Sequence, residues 1–282
     1  MGRTENVQVF QDTEMLCKTN QILIESTKKS VKNQKVILEG DVLPEIDKNR
    51  FEQDAALIVS KKRTYEAASA YKELKTAVHN FASASNPGGG VTRGANAQEE
   101  CLCRCSNLYF CLNEPDMWNA FYMPHRQAHN PIHNDDIIFT PGIKVFKTDT
   151  SMPEKMQEKD WYDVDVITCA APNLREQPSN GYNSGDGDKK AMISGQELRK
   201  LHEKRLERIL DVAVMNGEEA VILGAFGCGA FRNQPEIVAE AAANVIQNYR
   251  KAFRVIEFAV YCGTKEDRNY QVFKEMIVWE RK

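Results

Sequence analysis

Residues 86–100, NPGGGVTRGANAQEE, bring together the residue types that could do chemistry in this chain. Gly88, Gly89 and Gly90 carry no Cβ, so the backbone there can adopt positive φ and approach a ligand closely. Glu99 and Glu100 follow at an expected helix start. A carboxyl group so placed can protonate a leaving oxygen and then activate a water, the two steps that glycosidic cleavage requires. Neighbours on a helix diverge by about 100°. One glutamate is therefore expected to face the reacting bond, while the other supports the loop or binds hydroxyls. A helix N-terminus favours an ionised carboxylate, whereas an acid must hold a proton. Burial, substrate phosphates or proton transfer from the leaving side could offset that preference.

A second glycine loop, GAFGCGAFRN, spans residues 224–233. Gly224, Gly227 and Gly229, with Ala225, Cys228 and Ala230 between them, can expose successive backbone N–H groups to an anion ahead of a helix that opens at Pro235. Such a cradle suits a diphosphate. No Gly-Lys-Ser/Thr follows, so this is not a P-loop. Phe226 and Phe231 flank the loop and are candidates either for the core or for walling a ribose or base.

Both loops leave an expected strand and enter an expected helix. Strands are expected at 36–38, 76–83, 136–140, 143–147, 164–171, 219–223 and 254–262, and helices at 13–29, 62–74, 98–112, 194–216, 235–251 and 265–278. Pro141-Gly142 reads as the turn of a hairpin. From the middle of the chain strands and helices alternate, which implies an α/β fold with a parallel or mixed sheet between helices. Ligands in such sheets bind at the C-terminal ends of strands. Residues 1–75 lack glycine loops and read as a mainly helical extension packed on a catalytic domain at 76–282. Residues 176–188 have the composition of a flexible loop.

The chain has 282 residues, 42% hydrophobic and 27% charged, with net charge −3. This is the profile of a soluble globular protein and not an electrostatic footprint for nucleic acid, so no general nucleic-acid binding is expected. No apolar run is long enough for a membrane span, and the N-terminus lacks the apolar centre of a signal peptide. With eight cysteines read as reduced thiols, a cytoplasmic protein is expected. Cys101, Cys103 and Cys105 are too closely spaced for a usual zinc site. Pro131 interrupts any single helix through His125, His129 and His133, so those histidines read as a solvated loop. No metal is expected.

The pairing of Gly88–Gly90 with Gln98-Glu99-Glu100, set within NFASASNPGGG…GANAQEE…LYF, and the later GAFGCGAFRNQP resemble the microbial branch of the poly(ADP-ribose) glycohydrolases. The resemblance covers residues 76–262 strongly and the N-terminal part weakly. It implies a macrodomain with a cleft for ADP-ribose and no cofactor. By matching position, it implies Glu100 as catalytic acid/base and Glu99 orienting the reacting ribose, with Asn86 on its hydroxyls. Gly88, Gly89, Gly90 and Gln98 would lie at the substrate, residues 224–231 would hold the diphosphate, and Phe231 would lie against the distal ribose. The implied partners are poly(ADP-ribose) or ADP-ribosylated macromolecules, with ADP-ribose as product. Arg93, within the spacer, departs from the small or apolar residue expected there. A binding module that reads ADP-ribose without cleaving it is the alternative.

Overall fold

The computed structural model describes residues 2–180, 185–263 and 267–278. Its strands are β1 (Lys35–Ile37), β2 (Ala56–Ser60), β3 (Thr76–Ala82), β4 (Ile137–Val145), β5 (Tyr162–Ala170), β6 (Ala220–Leu223) and β7 (Val255–Ala259). They form a seven-stranded sheet in the order β1-β4-β5-β3-β6-β7-β2. The run β5-β3-β6-β7-β2 is parallel. β4 is antiparallel to β5, and β1 to β4. The expected mixed α/β sheet is thus present.

Helices cover both faces. They are α1 (Arg3–Thr19), α2 (Gln21–Asn33), α3 (Thr64–Ala68), α4 (Gln98–Cys105), α5 (Leu108–Leu112), α6 (Pro115–Met117), α7 (Met123–Ala128), α8 (Gly195–Met215), α9 (Pro235–Ile246) and α10 (Arg268–Val278). Alternation along the strands decides which layer each side chain enters. Ala77, Val221 and Leu223 pack toward Ile209, Val238 and Phe273 of α8–α10. Their neighbours Val78 and Ile222 pack the other way, toward Phe10, Tyr65, Leu102 and Leu108. Among the described residues, no helix is long and apolar enough to cross a membrane.

The N-terminal 75 residues do more than cover the sheet. They contain helices α1 and α2, but they also supply both edge strands: β1 pairs with β4, and β2 with β7. A boundary at residue 75 therefore cuts through one continuous sheet. β2, ALIVS, escapes notice in the sequence because its five residues are a short apolar run without alternation.

Other differences have local causes. The helix expected over 13–29 breaks at Asn20, whose side chain accepts from Leu23 N at 3.2 Å and so starts α2. The helix expected over 62–74 is shorter, with a 3-10 turn following α3. The one expected over 98–112 breaks at Ser106, which is extended (φ −147°) and bridges to Val145. Pro141-Gly142 does not turn a hairpin. It forms a bulge inside β4, with Gly142 at φ 67° and its N–H donating to Asp165 Oδ1 at 2.8 Å. Residues 115–128 are helical, with a π-helical stretch at Trp118–Tyr122. The closing helix runs over Arg268–Val278, and residues 265–266 of the expected range lie outside the described residues. The described parts of 176–188 contain neither helix nor strand, and residues 181–184 of that expected loop lie outside them.

Candidate active site

β3 and β6 are parallel neighbours, Thr76 opposite Ala220. Their C-terminal ends therefore lie side by side, and the two glycine loops emerge together. A cleft of about 890 Å³ opens there. It is lined by Gly89, Gln98, Glu99 and Glu100 from the first loop region and by Ala225, Gly227, Gly229, Ala230 and Phe231 from the second.

The first loop is built by tight backbone turns. Gly89 N donates to Asn86 O at 2.9 Å and Val91 N to Gly88 O at 3.1 Å. Gly88 and Gly89 have φ 64° and 59°, which a side chain would strain. A 3-10 turn over Val91–Arg93 follows, with Arg93 exposed. α4 then begins at Gln98, whose side chain ties it to β3: Phe81 N donates to Oε1 at 2.9 Å, and Nε2 donates to His79 O at 2.8 Å.

Glu100 is the third residue of α4 and folds back over the helix start. Its Oε2 accepts from Ala97 N at 2.8 Å and its Oε1 from Gly90 N at 2.9 Å. Glu99 is 3% exposed. Its Oε2 accepts from Ser83 N at 2.7 Å, and Asn80 Nδ2 stands 3.4 Å from Oε1. Burial, and then the charge of Glu100, hold the Glu99 carboxyl well above the usual range. Both carboxylates converge on Gly89, because first-turn side chains can fold back toward the unpaired N–H groups of the helix start. The pair offers a carboxyl that burial favours in its protonated form, Glu99, beside a second carboxyl group, Glu100, held by two N–H donors.

The second loop is tied down by Asn233, its last residue, for which the motif itself suggests no role. Its Nδ2 donates to Pro172 O at 2.7 Å and Gly227 O at 3.1 Å, and its Oδ1 lies 2.9 Å from His202 Nε2. Gly227 at φ 77° leaves no room for a Cβ, which would lie 2.5 Å from Asn233 Nδ2. Burial lowers His202 to about 4, so it is neutral beneath the loop.

Several residues expected at the substrate are not among those that line the cleft. Asn86 is half-buried, does not line the cleft, and donates from Nδ2 to Ser85 Oγ at 3.2 Å. Gly88 is packed under Tyr109 and Cys103, while Gly90 presents its N–H to Glu100. Gly224 sits against Phe81 and Ala259 O. Phe226 is a core residue, its ring 4.4 Å from that of His79. Cys228 turns its Sγ toward Phe226 O. The alternation of exposed and buried positions within an irregular loop has no period to read, so the sequence cannot separate these from their cleft-lining neighbours.

Other parts of the wall come from segments without motifs. Arg3 and Asn6 of α1 line the cleft, as do Arg63, Asp149, Arg175 and Tyr261. Arg63 stacks over the Tyr261 ring at 4.0 Å and reaches Cys101 Sγ at 3.3 Å. Burial raises Asp149 to about 6. The three histidines do not form a solvated loop. His125 is buried between Phe121 O and Asn134 Oδ1, each at 2.7 Å, and His133 lies 3.2 Å from Asp186, while His129 is exposed.

A family model described as the catalytic domain of microbial-type PARG matches residues 4–148, about half of the chain. Among solved structures, the chain is similar to poly(ADP-ribose) glycohydrolase from Thermomonospora curvata. The TM-score is 0.83 and the identity 25%, over 97% of this chain and 100% of that one. It is also similar to poly(ADP-ribose) glycohydrolase from Deinococcus radiodurans in complex with ADP-ribose. There the TM-score is 0.75 and the identity 26%, over 90% of this chain and 97% of that one. No curated protein matches.

Proposed function

Because the chain belongs to the microbial-type poly(ADP-ribose) glycohydrolase family and is a glycoside hydrolase of that class, we propose that Glu100 is the general acid/base of its ribose–ribose cleavage. The observation that carries this reading is the convergence of Glu99 and Glu100 on Gly89 in the same cleft that receives the 225–231 loop. In this reading a diphosphate rests on the N–H groups of that loop, which sets the adjoining ribose against the carboxylate pair. Phe231 walls that ribose.

The proton held by the pair passes from Glu99 to Glu100, whose carboxyl protonates the leaving ribose oxygen as the glycosidic bond breaks. A water then attacks the anomeric carbon, and the same carboxylate takes its proton, so the net reaction adds one water across the bond. Glu99, which burial favours in its neutral form, regains the proton at the end of the cycle and donates to or accepts from ribose hydroxyls. Asn86, whose carbonyl oxygen holds Gly89 N, binds the ribose hydroxyls in this reading, with Glu99 orienting the ribose. The partners in this reading are poly(ADP-ribose) and ADP-ribosylated macromolecules, with ADP-ribose released. The cytoplasmic setting rests on eight free thiols, most of them buried.

The test is release of ADP-ribose from poly(ADP-ribose) by wild type and Glu100→Gln, with ADP-ribose binding measured by calorimetry. Glu100→Gln should bind ADP-ribose and lose about 10²–10⁴-fold in kcat, the usual worth of a general acid/base. Equal release by both proteins would overturn the assignment. Binding without release by wild type would make the chain a reader of ADP-ribose.

A further inference from the structure

Asn80 lies on β3, flanked by β5 and β6, with its side chain fully buried. An incompletely bonded amide in such a place is destabilising, as a leucine would not be. Its Nδ2 donates to Thr168 Oγ1 at 3.2 Å, on the paired position of β5, and faces Glu99 Oε1 at 3.4 Å. Its Oδ1 has no hydrogen-bond partner among the described residues. Packing alone does not account for an amide here.

The two oxygens of Glu99 have different neighbours. Oε2 accepts from the backbone N–H of Ser83, a group that can only donate. Oε1 faces a side-chain amide that can change role. With Nδ2 toward it, the amide donates to an ionised Glu99. Turned by half a rotation, it presents Oδ1 to a protonated Glu99 and accepts its O–H. Thr168 can follow either orientation, since a hydroxyl both donates and accepts. The other titratable groups facing Glu99 are Glu100, Cys103 and Tyr122. Burial keeps Cys103 and Tyr122 neutral.

We propose that Asn80, backed by Thr168, is a positioning residue that holds Glu99 in place through both of its protonation states during glycosidic cleavage. The inference rests on the reading of Glu99 and Glu100 as the reacting pair. Without the amide, Glu99 would be fixed in one state only, and the pair could not pass a proton without moving a carboxylate.

The experiment compares Asn80→Leu, Thr168→Val and Thr168→Ser for kcat, KM and the pH profile of kcat on poly(ADP-ribose). ADP-ribose affinity and thermal unfolding are measured alongside. Asn80→Leu should lower kcat about tenfold or more, part of the usual general acid–base contribution, with KM and ADP-ribose affinity within about twofold. Its apolar side chain disfavours the ionised form of Glu99, so the alkaline limb of the profile moves to higher pH. Thr168→Val should show a smaller kcat loss, and Thr168→Ser, which keeps the hydroxyl, should restore it. Wild-type kcat and pH profile in folded Asn80→Leu and Thr168→Val would overturn the proposal, as would losses confined to KM and melting temperature. If Asn80→Leu does not fold, Thr168→Val against Thr168→Ser decides. An active Glu100→Gln would sink the reacting-pair reading itself. An inactive Glu100→Gln beside a normal Asn80→Leu would sink only the role of Asn80.

Discussion

Glu99 and Glu100 are consecutive on α4, yet both carboxylates reach the same glycine: a Cβ on Gly89 would lie 2.5 Å from Oε1 of Glu100 and 3.2 Å from Oε2 of Glu99. Glycine at this position is thus a condition for the pair to exist. Its φ of 59° adds a second reason.

Gly89→Ala should therefore impair catalysis more than folding. The left-handed backbone costs about 1–2 kcal/mol with a side chain, and the methyl group displaces the Glu100 carboxylate. Steady-state assays should show kcat reduced by about 10²-fold, the scale expected when a general acid/base is misplaced. Circular dichroism should remain native.

The second loop separates its glycines by role. Gly227→Ala drives a Cβ into Asn233 Nδ2 and Ala171, and it strains a φ of 77°. It should raise the ADP-ribose dissociation constant by about tenfold or more, equivalent to roughly 1.4 kcal/mol. Gly229→Ala meets nothing within 4 Å. Calorimetry should find it within about twofold of wild type, as expected of a substitution that costs only a few tenths of a kcal/mol.

Asp186 joins three segments. It accepts from Ser85 Oγ at 3.2 Å and Asn173 Nδ2 at 2.9 Å, and it lies 3.2 Å from His133 Nε2. These bonds fasten the segment before the glycine loop to the chain leaving β5. Asp186→Ala leaves buried partners unsatisfied, at a cost of about 1–3 kcal/mol each at most. A lower melting temperature together with a raised KM is the expected outcome. Unchanged values of both would show that the network is dispensable.

Glu218 predicts the pH dependence of stability at the opposite end of the sheet. It is fully buried, and burial followed by the charge of Asp165 raises it to about 9, with Lys75 opposing. In the folded protein it stays protonated well above neutrality, while unfolded it ionises near 4.5. The folded state thus binds more protons between those values, and its stability falls as pH rises through that window, by at most about 1.4 kcal/mol per unit. Below about 4.5 the group is neutral in both states and contributes no slope. Glu218→Gln should flatten this slope and stabilise the protein at pH 8. Denaturant unfolding at pH 5, 6.5 and 8 measures it.

Long-period and composition signals carried most of the fold. The buried strand around residue 167 and the amphipathic run of α8 are legible because apolar side chains repeat where the core needs them. β2 and the break at Ser106 are not legible, since a short apolar run suits strand or helix equally and one extended residue leaves no pattern. Pro141-Gly142 reads as a turn because a bulge and a turn both favour glycine at positive φ. Only the pairing of β4 with β5 on both sides of it separates the two.

The sequence by itself determined the reactive groups and their neighbourhood: two glycine loops, each between a strand and a helix, and a carboxylate pair at one of them. Each of those features is local, written within 15 residues of chain. The tertiary structure decided which of them meet. Parallel pairing of β3 with β6 joins loops that lie far apart in sequence. Burial decides that Phe226 belongs to the core while Phe231 faces the cleft, and that Glu99 carries a proton beside Glu100. The roles of Asn80, Thr168 and Asn233 are not legible in the sequence because a polar residue gains meaning only from the atoms packed against it. Those atoms come from other strands and loops that the fold alone brings within hydrogen-bonding reach.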